Sequence, residues 1–429
     1  MVAARIVLVI SVLLELGTLT FLRRLLGSLY NPWVWTLAGI ATVVSGGYLL
    51  LRHRAAVRPS ILPEGRYRRL LITYSMTGAA LLLAAAWLHD IYLEYPVDPL
   101  RSDIVPSIEL YVKRLLAGEY AYQLLEFPGW TVFPNYLPLR WLPYVLAEWA
   151  EVDYRWVALW GFAAAVYWYQ YRLASQALTL SEVGLKGALP VAVLLLLLDD
   201  NPSGYGQAVE LLIVAYHLIL ADSLFKQPWY VAVGLLLCLL SRFGFVFWVP
   251  IYAVAFWMER GWRPTLQVVG IVVAGVLVIY VIPFLSQDWS AFLEGMQYYG
   301  KSSLAEWYRQ GWQPEGAVPF HLSTGMSFSY YFYTYGSGDE VARYTLERTA
   351  HLWSCVGFML LGLAGLWVAR RRGWSLRYYV LLALKAYFIV FYGLFYAPYL
   401  YLYVVPFFVS VAVLWQVRLG PLPGVGEEE

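Results

Sequence analysis

The chain has 429 residues, of which 61% are hydrophobic and only 14% are charged, and its mean hydropathy is +0.59. Soluble globular domains contain roughly 45–50% apolar and about 25% charged residues, so this composition excludes an ordinary soluble protein and indicates an integral membrane protein. The formal net charge of +2 gives no electrostatic reason to expect a nucleic-acid partner.

Twelve apolar segments are predicted to cross the membrane as helices. They are 6–21, 34–51, 70–88, 154–171, 188–198, 207–225, 229–241, 245–258, 266–285, 352–368, 378–395 and 399–417. The predicted fold class is therefore all-α integral membrane, with about 12 transmembrane helices and two long extracytoplasmic loops. The expected regions are an N-terminal helix pair with a basic loop (1–69), a core (70–285), a large outer loop (286–350) and C-terminal helices with a tail (351–429).

The charges between the second and third segments predict the orientation. Six arginines stand there against the single acid Glu64: Arg52, Arg54, Arg58, Arg66, Arg68 and Arg69. Cytoplasmic loops are enriched in Lys and Arg, which places this loop and both termini in the cytoplasm of a multi-pass cell-membrane protein. Segments 229–241 and 245–258 are each shorter than a full span. We count them as two crossings, because this places the arginines that follow later in the chain on the cytoplasmic side. Arg23 and Arg24 are the exception, and we expect them to snorkel from a helix end to the outer surface.

Two outer segments are too long and too polar to be simple connectors. The loop 89–138 and the loop 286–350 carry seven acids each. Apolar residues at helical spacing in 104–116 predict an amphipathic helix lying along the membrane surface, and 137–148 is a second candidate. The aromatic run 330–335 in the second loop could contact a sugar or pack on the membrane surface.

Asp103 opens the amphipathic helix, where an N-cap residue would stand, so helix capping is the simplest interpretation. The same region also carries a longer pattern. It consists of Asp103, Gly118, Tyr122 and Asn135-Tyr136-Leu137-Pro138-Leu139, followed later by Gly206-Gln207-Ala208-Val209-Glu210 and by Ser241-Arg242-Phe243-Gly244 before Pro250.

This order resembles the GT-C superfamily of membrane glycosyltransferases that use polyprenyl-phosphate sugars, in particular its mannosyltransferase-like members. The resemblance covers roughly residues 70 to 415. Two departures are an added N-terminal helix pair and the lack of an Asp-Glu dipeptide at the end of the preceding helix. The second departure leaves the catalytic acid open between Asp103 and Asp90.

The resemblance implies a hexosyltransferase that moves a sugar, with inversion, from a polyprenyl phosphate to a lipid, glycan or protein acceptor outside the cytoplasm. Such a transfer needs a general base for the acceptor hydroxyl and cations for the departing phosphate. Asp103 is the predicted base and Asp90 the alternative. Arg242 is the predicted phosphate ligand because a guanidinium fork matches phosphate geometry, although it could instead snorkel to headgroups. Arg140, Tyr136 and His321 are further substrate-binding candidates.

Other polar residues have simpler interpretations beside functional ones. Glu15, Glu210 and His217 lie in apolar segments, where ionisable groups are costly and often functional. The run Asp199-Asp200-Asn201 has donor types that suit a divalent cation, but its composition is typical of a turn. The sequence therefore assigns no metal and leaves a divalent cation open.

Two other classes of protein share the membrane setting. A lipid-linked oligosaccharide transporter would show paired halves and midplane ionisable groups, whereas the chain has no internal repeat. A polysaccharide polymerase or ligase is expected to have basic, His-containing outer loops, whereas both loops here are rich in acids. Acids that converge at one outer cavity would favour transfer, and acids along a central path would favour transport.

Overall fold

The computed structural model describes residues 1–52, 66–174, 176 and 178–419, and this part of the chain is mostly helical. The helices are α1 (Val2–Leu19), α2 (Leu22–Gly47), α3 (Arg66–Glu94), α4 (Ile104–Leu116), α5 (Pro138–Trp141), α6 (Val145–Ala150), α7 (Arg155–Ala174), α8 (Leu180–Asp200), α9 (Pro202–Gly206), α10 (Glu210–Ser223), α11 (Pro228–Leu239), α12 (Val249–Arg260), α13 (Trp262–Val276), α14 (Ala291–Ala305), α15 (Phe320–Thr324), α16 (Ser329–Tyr335), α17 (Glu340–Arg371), α18 (Leu376–Gly393) and α19 (Val404–Gln416). Strands β1 (Leu125–Phe127) and β2 (Trp130–Val132) form one antiparallel hairpin, with Leu125 opposite Val132.

Seven helices in the described part are long and apolar enough to cross a membrane. They span Val2–Leu19, Leu22–Leu51, Leu70–Glu94, Ser181–Asp200, Trp262–Leu285, Glu340–Arg371 and Leu376–Gly393. Each of the twelve predicted segments overlaps a helix, but helices such as Pro228–Leu239 are shorter than a full span, so the count of twelve stays a prediction. The arginine-rich loop around Arg54 and Arg58, and the tail from 420 onward, lie outside the described residues.

Helix α8 runs from one end of the helix bundle to the other. At its start, Lys186 donates to the Val417 carbonyl oxygen at 2.6 Å, and Arg5 donates to the Leu419 carbonyl oxygen at 3.2 Å. We call this the terminal end, because the residues at both ends of the described chain meet there. Twenty residues of helix span about 30 Å, so the other end of α8 lies far away. There Asp200 is the last residue of α8.

The opposite end, which we call the loop end, holds the segments 95–154 and 286–339. They touch each other, since the Tyr298 hydroxyl donates to the Thr131 carbonyl oxygen at 3.3 Å. Arg23 pairs with Asp200 at 2.5 Å and Arg24 pairs with the same carboxylate at 3.0 Å. The two arginines that break the predicted charge pattern are therefore ion-paired to a helix end, a partner that the sequence pattern did not indicate.

A buried ion pair docks the first two helices onto the last two. Lys385 of α18 donates to Glu15 of α1 at 2.6 Å, and both side chains are fully buried. The Glu15 carboxylate also accepts from Thr42 of α2 at 3.0 Å and from Ser410 of α19 at 2.9 Å. An intramembrane charge is tolerated when it is paired and hydrogen-bonded, and here the pairing joins four helices. Glu15, which the sequence marked as a functional candidate, therefore has a structural role.

Two predicted loop boundaries and one predicted helix need correction. Helix α3 runs to Glu94, so the first residues of the predicted loop 89–138 are helical. Helix α17 begins at Glu340, ten residues before the predicted end of the second loop. The candidate helix 137–148 is three short turns instead of one helix, with Pro138 at the start of the first turn and Pro143 in the second. Proline lacks a backbone donor and clashes with the preceding turn, which breaks the helix there.

Candidate functional site

Asp103 stands at the start of α4 but does not cap it. The helix covers Ile104–Leu116 as the sequence predicted, and it buries Ile104, Ile108 and Tyr111 on one face. Asp103 occupies the N-cap position, yet its side chain makes no capping hydrogen bond. A capping carboxylate would accept from the second or third helical N–H group, so helix capping does not account for this residue in the structure.

Burial, a backbone hydrogen bond and two charged neighbours set the protonation of Asp103. Burial is the largest influence and raises the pKa of Asp103 above its usual value, whereas a hydrogen bond from its own backbone N–H and the charge of Arg140 lower it, and Glu306 raises it. Loss of hydration disfavours the ionised carboxylate, which explains the direction. Asp103, Arg140 and Glu306 come from α4, from α5 and from the end of α14, so the fold brings three separate chain segments into one electrostatic neighbourhood.

An aromatic cluster fixes the turn that leads into α5. The Tyr122 hydroxyl donates to the Tyr136 carbonyl oxygen at 2.7 Å, and the Tyr136 N–H donates to the Tyr111 hydroxyl at 3.4 Å. Trp141 stacks on Tyr111 with ring centroids 5.3 Å apart. The Arg140 guanidinium lies over the Tyr136 ring, 4.0 Å from its centroid. Such stacking suits a planar guanidinium and gives Arg140 a fixed place within electrostatic reach of Asp103.

Glu306 and His321 form a second polar group near Asp103. Glu306 accepts a hydrogen bond from the Tyr399 hydroxyl at 2.7 Å, and His321 Nε2 lies 3.6 Å from its carboxylate. The His321 ring packs edge-on against Tyr399 with centroids 4.6 Å apart. Burial lowers the pKa of His321, and Glu306 only partly offsets this, so the imidazole is neutral near pH 7. Sequence reasoning named His321 but missed Glu306, whose only signal was an acid in an aromatic-rich loop.

Arg242 lies in the connection between α11 and α12 and pairs with Glu210, the first residue of α10. Its Nη2 bonds Glu210 Oε1, and the two side chains are only 12% and 3% exposed. The Leu139 N–H donates to the Leu240 carbonyl oxygen at 2.8 Å, which ties this connection to α5 and so to Arg140. An arginine this buried does not snorkel to headgroups, which removes that interpretation.

Several buried polar atoms at this end of the bundle have no partner among the described residues. They include Nε of Arg140, Nη1 of Arg242 and Oε2 of Glu210. Buried donors without an acceptor are costly, because each loses its hydration without replacement. Two such guanidinium N–H groups on neighbouring elements are typical of a place that an anionic ligand fills.

Other candidates from the sequence lie apart from this group. Asp90 is exposed on α3, and it makes no hydrogen bond or ion pair with the described residues. His217 donates through Nδ1 to the Ile213 carbonyl oxygen at 2.8 Å, one turn back in α10. Asp200 is paired with Arg23 and Arg24, and Asn201 caps α9 by accepting from Gly204 at 3.1 Å. In the described part of the chain, no three His, Cys, Asp or Glu side chains gather where they could hold a metal ion.

The aromatic run 330–335 belongs to α16 and packs against other elements. The Tyr331 hydroxyl donates to the Leu29 carbonyl oxygen and accepts from Trp33 Nε1 at 2.7 Å. Arg343 of α17 donates to the Tyr333 carbonyl oxygen at 2.8 Å. These contacts give the run a packing role between α2 and α17, and contact with a sugar stays a prediction.

A separate cavity of about 410 Å³ lies beside α4 and α6. Its lining includes Val105, Glu109, Glu148 and Asp153 but not Asp103. Three of its four acids are already engaged, since Glu109 pairs with Lys113, Glu148 accepts from Tyr154 at 2.5 Å and Asp153 pairs with Arg155 at 2.6 Å. We therefore locate the candidate site at Asp103 with Arg140 and Glu306, and not in this cavity.

Comparison of the chain with protein-family models, with curated proteins and with solved structures gives no match. The resemblance to GT-C enzymes therefore depends on the sequence motifs alone. Because fold by itself does not define function, the chemistry of the site has to carry the functional assignment.

The protonation of Asp103 predicts how activity depends on pH. The role of general base that the sequence predicts for Asp103 requires an ionised carboxylate, so the expected transfer activity should fall as the pH drops through its raised pKa. Arg140 lowers that pKa, so Arg140→Ala should move the acid limb of kcat/KM to higher pH. The measurement is the pH profile of kcat/KM for the wild type and this variant. An acid limb that stays in place or moves to lower pH would contradict the proposed coupling.

Proposed function

We propose that the chain is an integral membrane glycosyltransferase that moves a sugar from a polyprenyl phosphate to a hydroxyl acceptor. The observation that carries the proposal is the Asp103 carboxylate, which is partly buried, caps no helix and lies within electrostatic reach of Arg140 and Glu306. Perturbed carboxylates beside fixed cations are typical of sites that move protons.

In the proposed reaction, the acceptor oxygen attacks the anomeric carbon while Asp103 takes the hydroxyl proton. The new carbon–oxygen bond forms as the bond from the anomeric carbon to the phosphate oxygen breaks, and the electron pair of that bond leaves with the phosphate. A single displacement inverts the anomeric centre, as the resemblance to GT-C enzymes implies. A positioned general base contributes roughly 10²- to 10⁴-fold to such a step.

Arg140 and Arg242 are the proposed ligands of the departing phosphate. Each guanidinium carries a buried N–H group without an acceptor among the described residues, and each is held by a second group, Tyr136 or Glu210. Fixed donors that face developing negative charge stabilise a transition state without needing to reorganise. Tyr136 and His321 complete the proposed substrate-binding set from the sequence.

We propose a cell-membrane location, with the loop end outside and both termini in the cytoplasm. At the terminal end, Asp222 forms ion pairs with two basic side chains, with Lys226 at 2.6 Å and with Arg172 at 3.5 Å. These are residues that the charge rule assigns to the cytoplasm. The donor, the acceptor and the membrane are the partners that this arrangement implies.

The distribution of buried acids favours transfer over transport. Both carboxylate oxygens of Glu15 in the bundle interior accept hydrogen bonds, from Lys385, Thr42 and Ser410. This carboxylate is therefore not open to a transported ion. Asp103, Glu210 and Glu306 instead lie toward the loop end. A transporter or a polymerase remains the alternative that the assay must exclude.

The direct test is to incubate the purified protein with a panel of short prenyl-phosphate sugars and hydroxyl acceptors. Release of free prenyl phosphate together with a glycosylated acceptor is expected for at least one sugar. Transport into liposomes without bond cleavage, across the whole panel, would refute the proposal.

Replacing Arg242 by Ala is expected to weaken donor use. Loss of a charge-assisted contact to phosphate should raise the donor KM by roughly tenfold or more, with a smaller effect on the acceptor KM. Initial rates at varied donor concentration measure this. Arg101→Ala is the matched control, because that side chain is 54% exposed and, among the described residues, pairs with Asp98 alone at 3.8 Å. A donor KM equal to that of the control would remove Arg242 from the site.

A further inference from the structure

The partner of Arg242 raises a question that phosphate binding alone does not answer. In the proposed phosphate site, Glu210 already bonds the Arg242 guanidinium within the protein. The pair is buried, and bringing two charges out of water has a free-energy cost that their attraction only partly offsets. A feature with this cost needs a reason beyond the folding of α10.

The geometry leaves one nitrogen of the Arg242 guanidinium, Nη1, without a partner among the described residues. Glu210 Oε1 contacts only Nη2, the Tyr392 hydroxyl supplies another contact, and Nη1 has no acceptor among the described residues. Glu210 Oε2 is likewise without a partner in that part of the chain. A phosphate at Nη1 would therefore lie beside an anionic carboxylate on the same guanidinium.

The charge on the lipid phosphate changes during the proposed reaction. The donor is a phosphodiester with one negative charge, whereas the released prenyl phosphate is a monoester with a charge of about −1.5 to −2 at pH 7. Two guanidiniums without a counter-anion would thus hold the product more tightly than the donor. An enzyme with such a site would be slowed by its own product, since product release often limits kcat.

We propose that Glu210 is a built-in counter-anion that weakens the hold of Arg242 on the phosphate so that the prenyl phosphate product can leave. This inference rests on the proposed function. Glu210 acts through Arg242 and does not touch the reacting atoms. Its repulsion is larger for the more highly charged product than for the donor, so it favours turnover at some cost in donor affinity.

Binding of farnesyl phosphate, a short prenyl phosphate, tests this without turnover. Glu210→Gln removes the charge and keeps an acceptor for Nη2, so it should bind farnesyl phosphate about tenfold more tightly than the wild type. Glu210→Asp keeps the charge but withdraws it by one methylene, and an intermediate affinity is expected. Titration calorimetry in detergent gives the dissociation constants. Glu109→Gln, which makes the same change in net charge at an exposed pair, should leave the affinity unchanged.

Kinetics supply a second readout that a purely structural role would not give. In Glu210→Gln both the donor KM and kcat should fall, because donor and product both stay bound longer. Loss of a merely structural contact would raise KM instead. If Glu210→Gln does not fold, the comparison of Glu210→Asp with the wild type decides, because it should still bind farnesyl phosphate more tightly.

The outcomes separate this inference from the proposed function. Equal or weaker binding of farnesyl phosphate to the Glu210 variants, with normal binding to the wild type, would overturn the role of Glu210 and leave the glycosyltransferase proposal standing. Absence of binding to the wild type as well would refute the prenyl-phosphate donor, and the role of Glu210 with it.

Discussion

Asp103→Asn is expected to lower the rate of sugar transfer by roughly 10²- to 10⁴-fold, the usual contribution of a positioned general base. Asparagine has nearly the shape of aspartate but cannot accept the acceptor's proton. The donor KM should change little, because the proposed phosphate ligands are Arg140 and Arg242. Single-turnover rates with the active prenyl-phosphate sugar measure the effect on the chemical step.

The same variant should be at least as stable as the wild type. The pKa of Asp103 is raised in the folded protein, so its contribution to stability is present at low pH and is lost as the pH rises through that pKa. At neutral pH the ionised carboxylate therefore costs stability, and Asn removes this cost. Thermal unfolding at pH 7 should give an unchanged or higher Tm for Asp103→Asn.

Asp90→Asn is the matched control, since Asp90 is an exposed acid on α3 and the alternative base in the sequence. It should retain nearly full activity. Full activity in Asp103→Asn would remove Asp103 as the base. If Asp90→Asn is inactive at the same time, the role of base passes to Asp90. A lower Tm in Asp103→Asn would contradict the effect of burial on this carboxylate.

Lys385→Met should destabilise the fold strongly, by about 3 to 5 kcal/mol, the usual cost of removing one partner from a buried ion pair. The substitution leaves the fully buried Glu15 without its cation. Glu15 would keep only the hydroxyls of Thr42 and Ser410. Unfolding in mixed detergent micelles, followed by tryptophan fluorescence, measures the free energy.

Replacing both partners should recover most of that loss. In Glu15→Leu with Lys385→Met neither charge of this pair remains, and buried pairs can often be exchanged for apolar residues at little cost. Lys113→Met is the control, because its pair with Glu109 is exposed and should contribute at most about 1 kcal/mol. A double variant as unstable as Lys385→Met would show that the ion pair is not the source of the effect.

Local patterns in the sequence determined much of this architecture. Long apolar runs predicted the helices, because a span must satisfy its own backbone and bury its side chains in lipid. Helical spacing predicted α4 with both of its boundaries, and the position of Asp103 before it followed from the same pattern. The interruption of the helix in segment 137–148 could also have been predicted from the sequence, because Pro138 and Pro143 lie within it.

Only the tertiary structure decided which charges meet. Glu210 and Arg242 are 32 residues apart, Glu15 and Lys385 are 370 apart, and Glu306 reaches the neighbourhood of Asp103 from the second outer loop. Periodicity tells which face of an element is buried, but it carries no information on which other element covers that face. For that reason the sequence marked Arg242, Glu210 and Glu15 as separate candidates, and packing joined the first two at the loop end and set the third apart with Lys385 in the bundle interior.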